Sequence, residues 1–215
     1  MSDYSIFVER IKSRFNKAQL KIFDHIQAFD TLQLASSGSN DTEGYQIFTP
    51  DFVVKDMCSS IGKDILDFAM NILEPTSGDG AFTTFILSKR LETIKDNYEF
   101  SIIKALSTLY SIEMDNELIT KQRNNIFTVV KLFLKKKKIE ASESFFDLIK
   151  CIITTNFVWA MFNSDSEIDF LGSAQVAYAM PNAEKKQQES SAMDFPVWDI
   201  NDETIDFHME GVDLW

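Results

Sequence analysis

The chain has 215 residues, 45% of them hydrophobic and 13% aromatic, with 19 phenylalanines and a formal net charge of −12. This length suits one full domain or one and a half small ones, and the composition is that of a globular protein with a substantial core. No apolar run approaches the roughly 18 residues of a membrane span, and a start bearing Ser2, Asp3, Glu9 and Arg10 is not a secretory leader. The acidic balance opposes a chain that grips duplex phosphates by itself, because such a surface must be basic. Cys58 and Cys151 lie in apolar helical contexts and are expected as buried free thiols of a reducing compartment, with the cytoplasm as the expected location. No metal-ligand spacing is present, and His25 and His208 stand apart in the sequence.

Residues 3–34 carry an apolar stripe at steps of three and four (Phe7, Ile11, Phe15, Ala18, Ile22, Ile26, Phe29), which predicts an amphipathic helix bent or broken along its length. Ser36-Ser37-Gly38-Ser39-Asn40-Asp41 reads as a flexible linker. Tyr45-Gln46-Ile47-Phe48-Thr49-Pro50 then precedes a helix with Val54, Met57, Ile61, Ile65 and Phe68 on one stripe, Thr49 being placed to cap it and Pro50 to open it. Met70, Ile72 and Leu73 form a short apolar run that ends at Glu74. The chain next turns through Pro75-Thr76-Ser77-Gly78-Asp79-Gly80 and enters a helix whose apolar face begins with Phe82, Phe85 and Ile86. Strand, glycine turn and helix in that order make a nucleotide-sized cleft at the carboxyl edge of a sheet.

Leu109-Tyr110-Ser111-Ile112-Glu113-Met114-Asp115 is a second strand ending in acids, with Asp115 expected to cap a long helix that starts at Asn116 or Glu117. That helix runs past Phe133 to the basic run Lys135–Lys138, whose cations complement the helix macrodipole. The segment from 51 to about 134 thus alternates helix, strand, helix, strand, helix, as a doubly wound sheet requires. A further helix (Phe145, Leu148, Ile149, Ile152, Ile153) leads into Asn156–Asn163, expected as the third strand. Beyond Ser164 the pattern degrades. Residues 183–192 are polar and expected as a mobile loop, and Phe195–Ile200 and Ile205–His208 read as two extended segments joined at Asn201-Asp202.

Three of these stretches resemble motifs of the N6-adenine DNA methyltransferases of restriction–modification systems. Leu73–Phe82 looks like motif I, the loop that holds S-adenosylmethionine. Phe48-Thr49-Pro50 looks like motif X, which closes over the methionine end of the cofactor. Glu113 and Met114 look like motif II, in which an acid takes the ribose hydroxyls and the next residue lies against the adenine. The resemblance implies a partial doubly wound (Rossmann-like) class I methyltransferase α/β sheet, preceded by an N-terminal helical segment. The corresponding division is 1–35 helical, 45–163 cofactor-binding and 164–215 irregular. It also implies a cofactor site made of Phe48, Thr49, Pro50, Glu74, Pro75, Thr76, Ser77, Gly78, Asp79, Gly80, Glu113 and Met114. The family's motif III would fall near Met161, Phe162 and Asn163, where the match is weak.

A dinucleotide site competes with this reading, but its fingerprint places Gly or Ala where Thr83 stands. Glu74 and Asp79 would also repel a pyrophosphate, whereas they suit a ligand carrying a sulfonium and an ammonium. The family's catalytic Asn/Asp/Ser-Pro-Pro-Tyr/Phe is absent. The only prolines are Pro50, Pro75, Pro181 and Pro196, and Asp194-Phe195-Pro196-Val197 is no substitute. The expectation is therefore the cofactor-binding portion of an adenine methyltransferase, inactive alone, with no catalytic residue assigned. DNA would be the partner of the intact enzyme and bind this chain weakly or not at all. A non-catalytic regulatory or specificity module derived from such an enzyme is the alternative. In the family's strand order, 3-2-1-4-5, strand 1 would be left as an open edge here. It is expected to be covered by the C-terminal residues folding back, by self-association or by a second chain.

Overall fold

The computed structural model describes residues 3–34, 48–162, 168–170, 192–201 and 203–213. Its centre is a sheet in the order β1 (Ile72–Glu74), β2 (Leu109–Glu113), β3 (Phe157–Phe162), β4 (Ile168–Phe170). The first three strands are parallel, with Ile72 opposite Leu109 and Ser111 opposite Phe157, while β4 runs antiparallel to β3. Every residue of β2 is buried, as expected of a strand flanked on both sides. The protein is mixed α/β, as the alternation of apolar periods implies.

The N-terminal stripe is divided between α1 (Ser5–Lys12) and α2 (Lys17–His25), and the chain from Ile26 to residue 34 is not helical. The break between them is the one expected along its length, while the expectation of a helical segment beyond His25 is corrected, each for a local reason. Asn16 makes a capping box with Gln19, which starts a new helix in place of continuing the old one. After His25, side chains of α6 (Asn116–Lys137) take the backbone groups: Asn124 accepts from Gln27 N–H, Thr128 from Phe29 N–H and Asn125 from Gln33 N–H. Of the stripe, Ile11, Phe15 and Ile26 are buried while Phe7, Ala18, Ile22 and Phe29 are only half-buried, and Tyr4, Val8 and Phe23, off the stripe, join the core.

Helix α3 (Asp51–Ile61) begins after Pro50, which occupies the cap position with no side-chain cap bond, so Thr49 does not cap it. Its predicted extension to Phe68 stops at Gly62, whose φ of +81° ends the helix and leads into a 3-10 turn, Gly62–Leu66. Between β1 and β2 lie two helices, α4 (Ala81–Thr93) and α5 (Tyr98–Ser107), where the apolar pattern suggested one helix and a connector. Asp115 caps α6 as expected, accepting from the N–H groups of Glu117 and Leu118. Helix α7 (Glu143–Asn156) precedes β3, and α1 and α2 pack on it as an outer layer. Cys58 and Cys151 are buried free thiols, and burial pushes Cys151 up to about 12.

The C-terminal residues form a hairpin, β5 (Ala192–Ile200) with β6 (Ile205–Asp213), turned by Asn201 accepting from the N–H groups of Glu203 and Thr204. Both extended segments expected there are present and longer than predicted. The hairpin docks away from β1: Tyr110 Oη donates to Pro196 O, Trp198 Nε1 donates to Asn156 Oδ1, and Arg14 pairs with Asp206. Among the described residues, β1 has no strand partner on its outer side. The linker at 36–41, the residues Tyr45–Ile47, Asn163 and the polar stretch 183–191 lie outside the described residues. Among the described residues no helix is long and apolar enough to cross a membrane.

A fully buried arginine ties the approach to β1 onto the neighbouring elements. Arg90 of α4 donates from Nε to Ile65 O (2.7 Å), from Nη1 to Ala105 O and Thr108 Oγ1, and from Nη2 to Asp67 O and Met70 O. Burial lowers its guanidinium to about 10, so it stays charged at neutral pH. Substituting Arg90→Met keeps the apolar stem and strips the guanidinium donors from four backbone carbonyls, of which Asp67 O keeps the Met70 N–H. We expect a loss above about 3 kcal/mol, a fall in Tm of roughly 6–12 °C by thermal denaturation.

Candidate functional site

The turn after β1 is built from both ends. Glu74 is the last residue of the strand, and Gly80, at φ +89°, is the N-cap of α4. Ser77 binds the turn to β2, its N–H donating to Ile112 O (3.1 Å). Beneath it lies Gln122 of α6, fully buried. Its Oε1 accepts from Ser77 Oγ (2.8 Å) and Ser111 Oγ (2.9 Å), and its Nε2 donates to Thr83 Oγ1 (2.8 Å). Asn125 Nδ2 donates to Asp79 O (3.1 Å) and also to Gln33 O, so one amide joins the turn to the non-helical N-terminal strap, residues 26–34.

The two glycines have different reasons to be glycine. A Cβ at Gly80 would lie 2.5 Å from Gln122 Cγ, inside the packed floor of the turn. At Gly78, with φ +56°, a Cβ would meet only Phe48 Cε1 at 4.0 Å, so the residue faces open space.

That space is a cleft of about 570 Å³. One wall is Glu74, Pro75, Thr76, Ser77, Gly78 and Asp79, and the other is Phe48 and Thr49 with Met57, Cys58 and Ile61 of α3. Met57 and Ile61, which the stripe predicted as core, are more than half exposed here. A larger hollow, about 720 Å³, lies between Tyr4, Tyr98 and Ile205, with no glycine turn in its wall.

Glu113 stands at the tip of β2, on the same end of the sheet as the turn. Its Oε2 accepts from Gly78 N–H at 2.6 Å and its Oε1 from Asp115 N–H at 2.9 Å. A carboxylate has about four acceptor sites, so each oxygen keeps capacity for a ligand hydroxyl. Met114 follows, an exposed residue (63%) whose carbonyl is held by Trp159 Nε1. Phe48, Thr49, Glu74, Pro75, Thr76, Ser77, Gly78 and Asp79 therefore line one cleft. Pro50 opens the helix behind it, Gly80 lies under the turn, and Glu113 reaches it through Gly78 N–H, while Glu113 and Met114 do not themselves line it. The side chains of the motif III positions are not described.

Sequence reading missed Lys121, Gln122 and Asn125 as site residues. Their signal is the polar run Lys121-Gln122-Arg123-Asn124-Asn125 inside a helix that is otherwise apolar on its buried side.

The electrostatics are acidic. Asp79 is 2% exposed and pairs with Lys121 Nζ at 3.5 Å. Glu74 has an oxygen, Oε2, closed off from solvent with no hydrogen-bond partner. Burial raises its carboxyl to about 8; the Thr83 backbone N–H opposes that rise, while the charges of Asp79 and Glu113 add to it. Burial also raises the Cys58 thiol, with Glu74 contributing. Among the described residues no cluster of His, Cys, Asp and Glu is arranged to hold a metal.

The glycine pair yields an expectation. Both carry the left-handed penalty of about 1 kcal/mol, but only Gly80→Ala must also displace Gln122. Thermal denaturation should show Gly80→Ala as clearly the more damaging of the two. Glu74 makes stability depend on pH. Its folded carboxyl holds a proton up to about 8, whereas an unfolded glutamate releases it near its ordinary value of 4.5. Between these values the native state binds the extra proton, so stability falls as pH rises through the window and levels above it. The Tm of the ligand-free chain should decline over that window relative to Glu74→Gln.

No family model, curated protein or solved structure matches this chain, so its function is read from the chemistry of the cleft itself.

Proposed function

We propose that the cleft binds S-adenosylmethionine and that the chain is the cofactor-binding portion of a DNA adenine-N6 methyltransferase, with a partial class I (Rossmann-like) sheet. The observation that carries this is the meeting of Glu113 Oε2 with Gly78 N–H at 2.6 Å, opposite Phe48. It sets the acid of the stretch that resembles motif II against the turn that resembles motif I, whose cleft is closed on its other side by the stretch that resembles motif X. Glu113 offers acceptors to a vicinal diol. Met114 offers a polarisable surface to a purine, and Phe48 and Thr49 close the far side over the amino-acid portion. Glu74, Asp79 and Glu113 make the site favourable to a cation and poor for a pyrophosphate.

Methyl transfer also requires an acceptor amine aligned with the methyl group. The family positions it with the Pro-Pro motif that this sequence lacks, and a net charge of −12 gives no phosphate grip for base flipping. The chain by itself is therefore cofactor-binding and not catalytic. That absence also favours the second reading, a non-catalytic partner or specificity module. Its β1 edge and the exposed Met57, Ile61 and Met70 would then be the contact surface of another chain or a second copy.

Calorimetric titration with S-adenosylmethionine tests the binding, and saturable heat is expected. Gly78→Val should abolish it with a modest loss of stability, since the side chain projects into the cleft from a left-handed backbone. Unchanged affinity would reduce the loop to a turn. The purified chain should not methylate DNA at saturating cofactor. Labelled methyl appearing in adenine-containing DNA, and lost in Glu113→Ala, would overturn the assignment of the chain as non-catalytic.

A further inference from the structure

We propose that Glu74 exchanges a proton for the ligand: it is neutral in the empty cleft and ionises when a cationic ligand group seats against it. The inference rests on the S-adenosylmethionine reading and specifies how the site selects charge.

The geometry singles out one carboxyl among the acids near the turn. Glu113 has a backbone N–H on each oxygen, and Asp79 has Lys121. Glu74, in the cleft wall, has Oε2 buried and unpartnered. The groups around it give little compensation for a negative charge. From α3 comes the Cys58 thiol, from the turn Asp79, from β2 Glu113 and from the first turn of α4 the Thr83 N–H. Lys121 of α6, the cation at this turn, is engaged by Asp79. A proton on the carboxyl relieves the repulsion while the cleft is open. Burial favours the neutral acid in the same direction.

An ammonium or sulfonium brought into the cleft supplies the missing positive charge and favours the carboxylate. The proton leaves to solvent as the ligand binds. A cation is thereby accepted with little change in the net charge of the cleft, while an anion of similar size would meet two fixed carboxylates and a neutral acid. Affinity for a ligand of constant charge should rise by about tenfold per pH unit between the midpoints of Glu74 in the bound and the free chain, and be level on either side.

The test is titration of the full chain with S-adenosylmethionine at about pH 6.5, where an α-amino group is still charged, in two buffers of different ionisation enthalpy. The expected result is close to one proton released per ligand by the wild type and close to none by Glu74→Gln. Saturable binding whose heat does not depend on the buffer would overturn the proposal and leave the binding reading intact. No saturable binding would overturn both. Because Glu74→Gln can fail to fold, the carboxyl carbon of Glu74 is also followed by NMR in the wild type. Its midpoint should lie near 8 in the free chain and fall by at least two pH units on saturation with ligand. An ordinary glutamate midpoint in the free chain would sink the idea.

Discussion

Gln122, Arg123, Asn124, Asn125 and Thr128 on one buried stretch of α6 supply hydrogen bonds to backbone and side chains that no regular element satisfies. Gln122 carries the glycine turn, and Arg123 takes Phe157 O at the start of β3 with two donors. Asn124, Asn125 and Thr128 hold the strap after α2. A buried polar group without a partner costs about 1–3 kcal/mol, so each amide is bound to its place as firmly as the backbone it serves. The turn, the third strand and the N-terminal strap consequently share one rigid reference. The cleft inherits its shape from that helix as much as from the sheet.

Arg90 acts comparably on the other side of β1. Its donors collect the carbonyls of the 3-10 turn region and of α5, where no strand ladder reaches them. The β1 strand is only three residues long and pairs on one side, so its position depends on these side-chain bonds more than on its own ladder. A short, one-sided edge strand is also a ready template for a further strand. The C-terminal hairpin leaves that edge unpaired and docks on α5, α7 and α1.

The chemistry of the cleft follows from an asymmetry among acids. Glu113 is committed to holding the turn, Asp79 to Lys121, and Glu74 keeps an oxygen without a partner. Similar carboxyl groups within one small volume are thus given separate duties by burial and hydrogen bonding.

By itself, the sequence determined the coarse alternation of helices and parallel strands from 51 to β3 (though not the second helix between β1 and β2), the placement of the glycine turn after an acid-tipped strand, and the Asp115 cap. Each of these is local: apolar period, the φ freedom of glycine and a side chain reaching two or three residues along its own backbone. The apolar stripe of the N-terminal segment marked only part of its buried set, Ile11, Phe15 and Ile26, because the backbone there is only partly helical. Only the tertiary structure decided the rest. The strap is non-helical because Asn124, Asn125 and Thr128, nearly a hundred residues away, offer its N–H groups partners, and periodicity carries no record of that. Gln122 is a site residue because it fits under Gly80, a contact no sequence spacing encodes. Met57 and Ile61 share the stripe of Val54 yet face the cleft, since the helix packs on α4 along one line and leaves the adjoining line open. The protonation of Glu74 likewise depends on what surrounds it in space, which its position after Leu73 does not reveal.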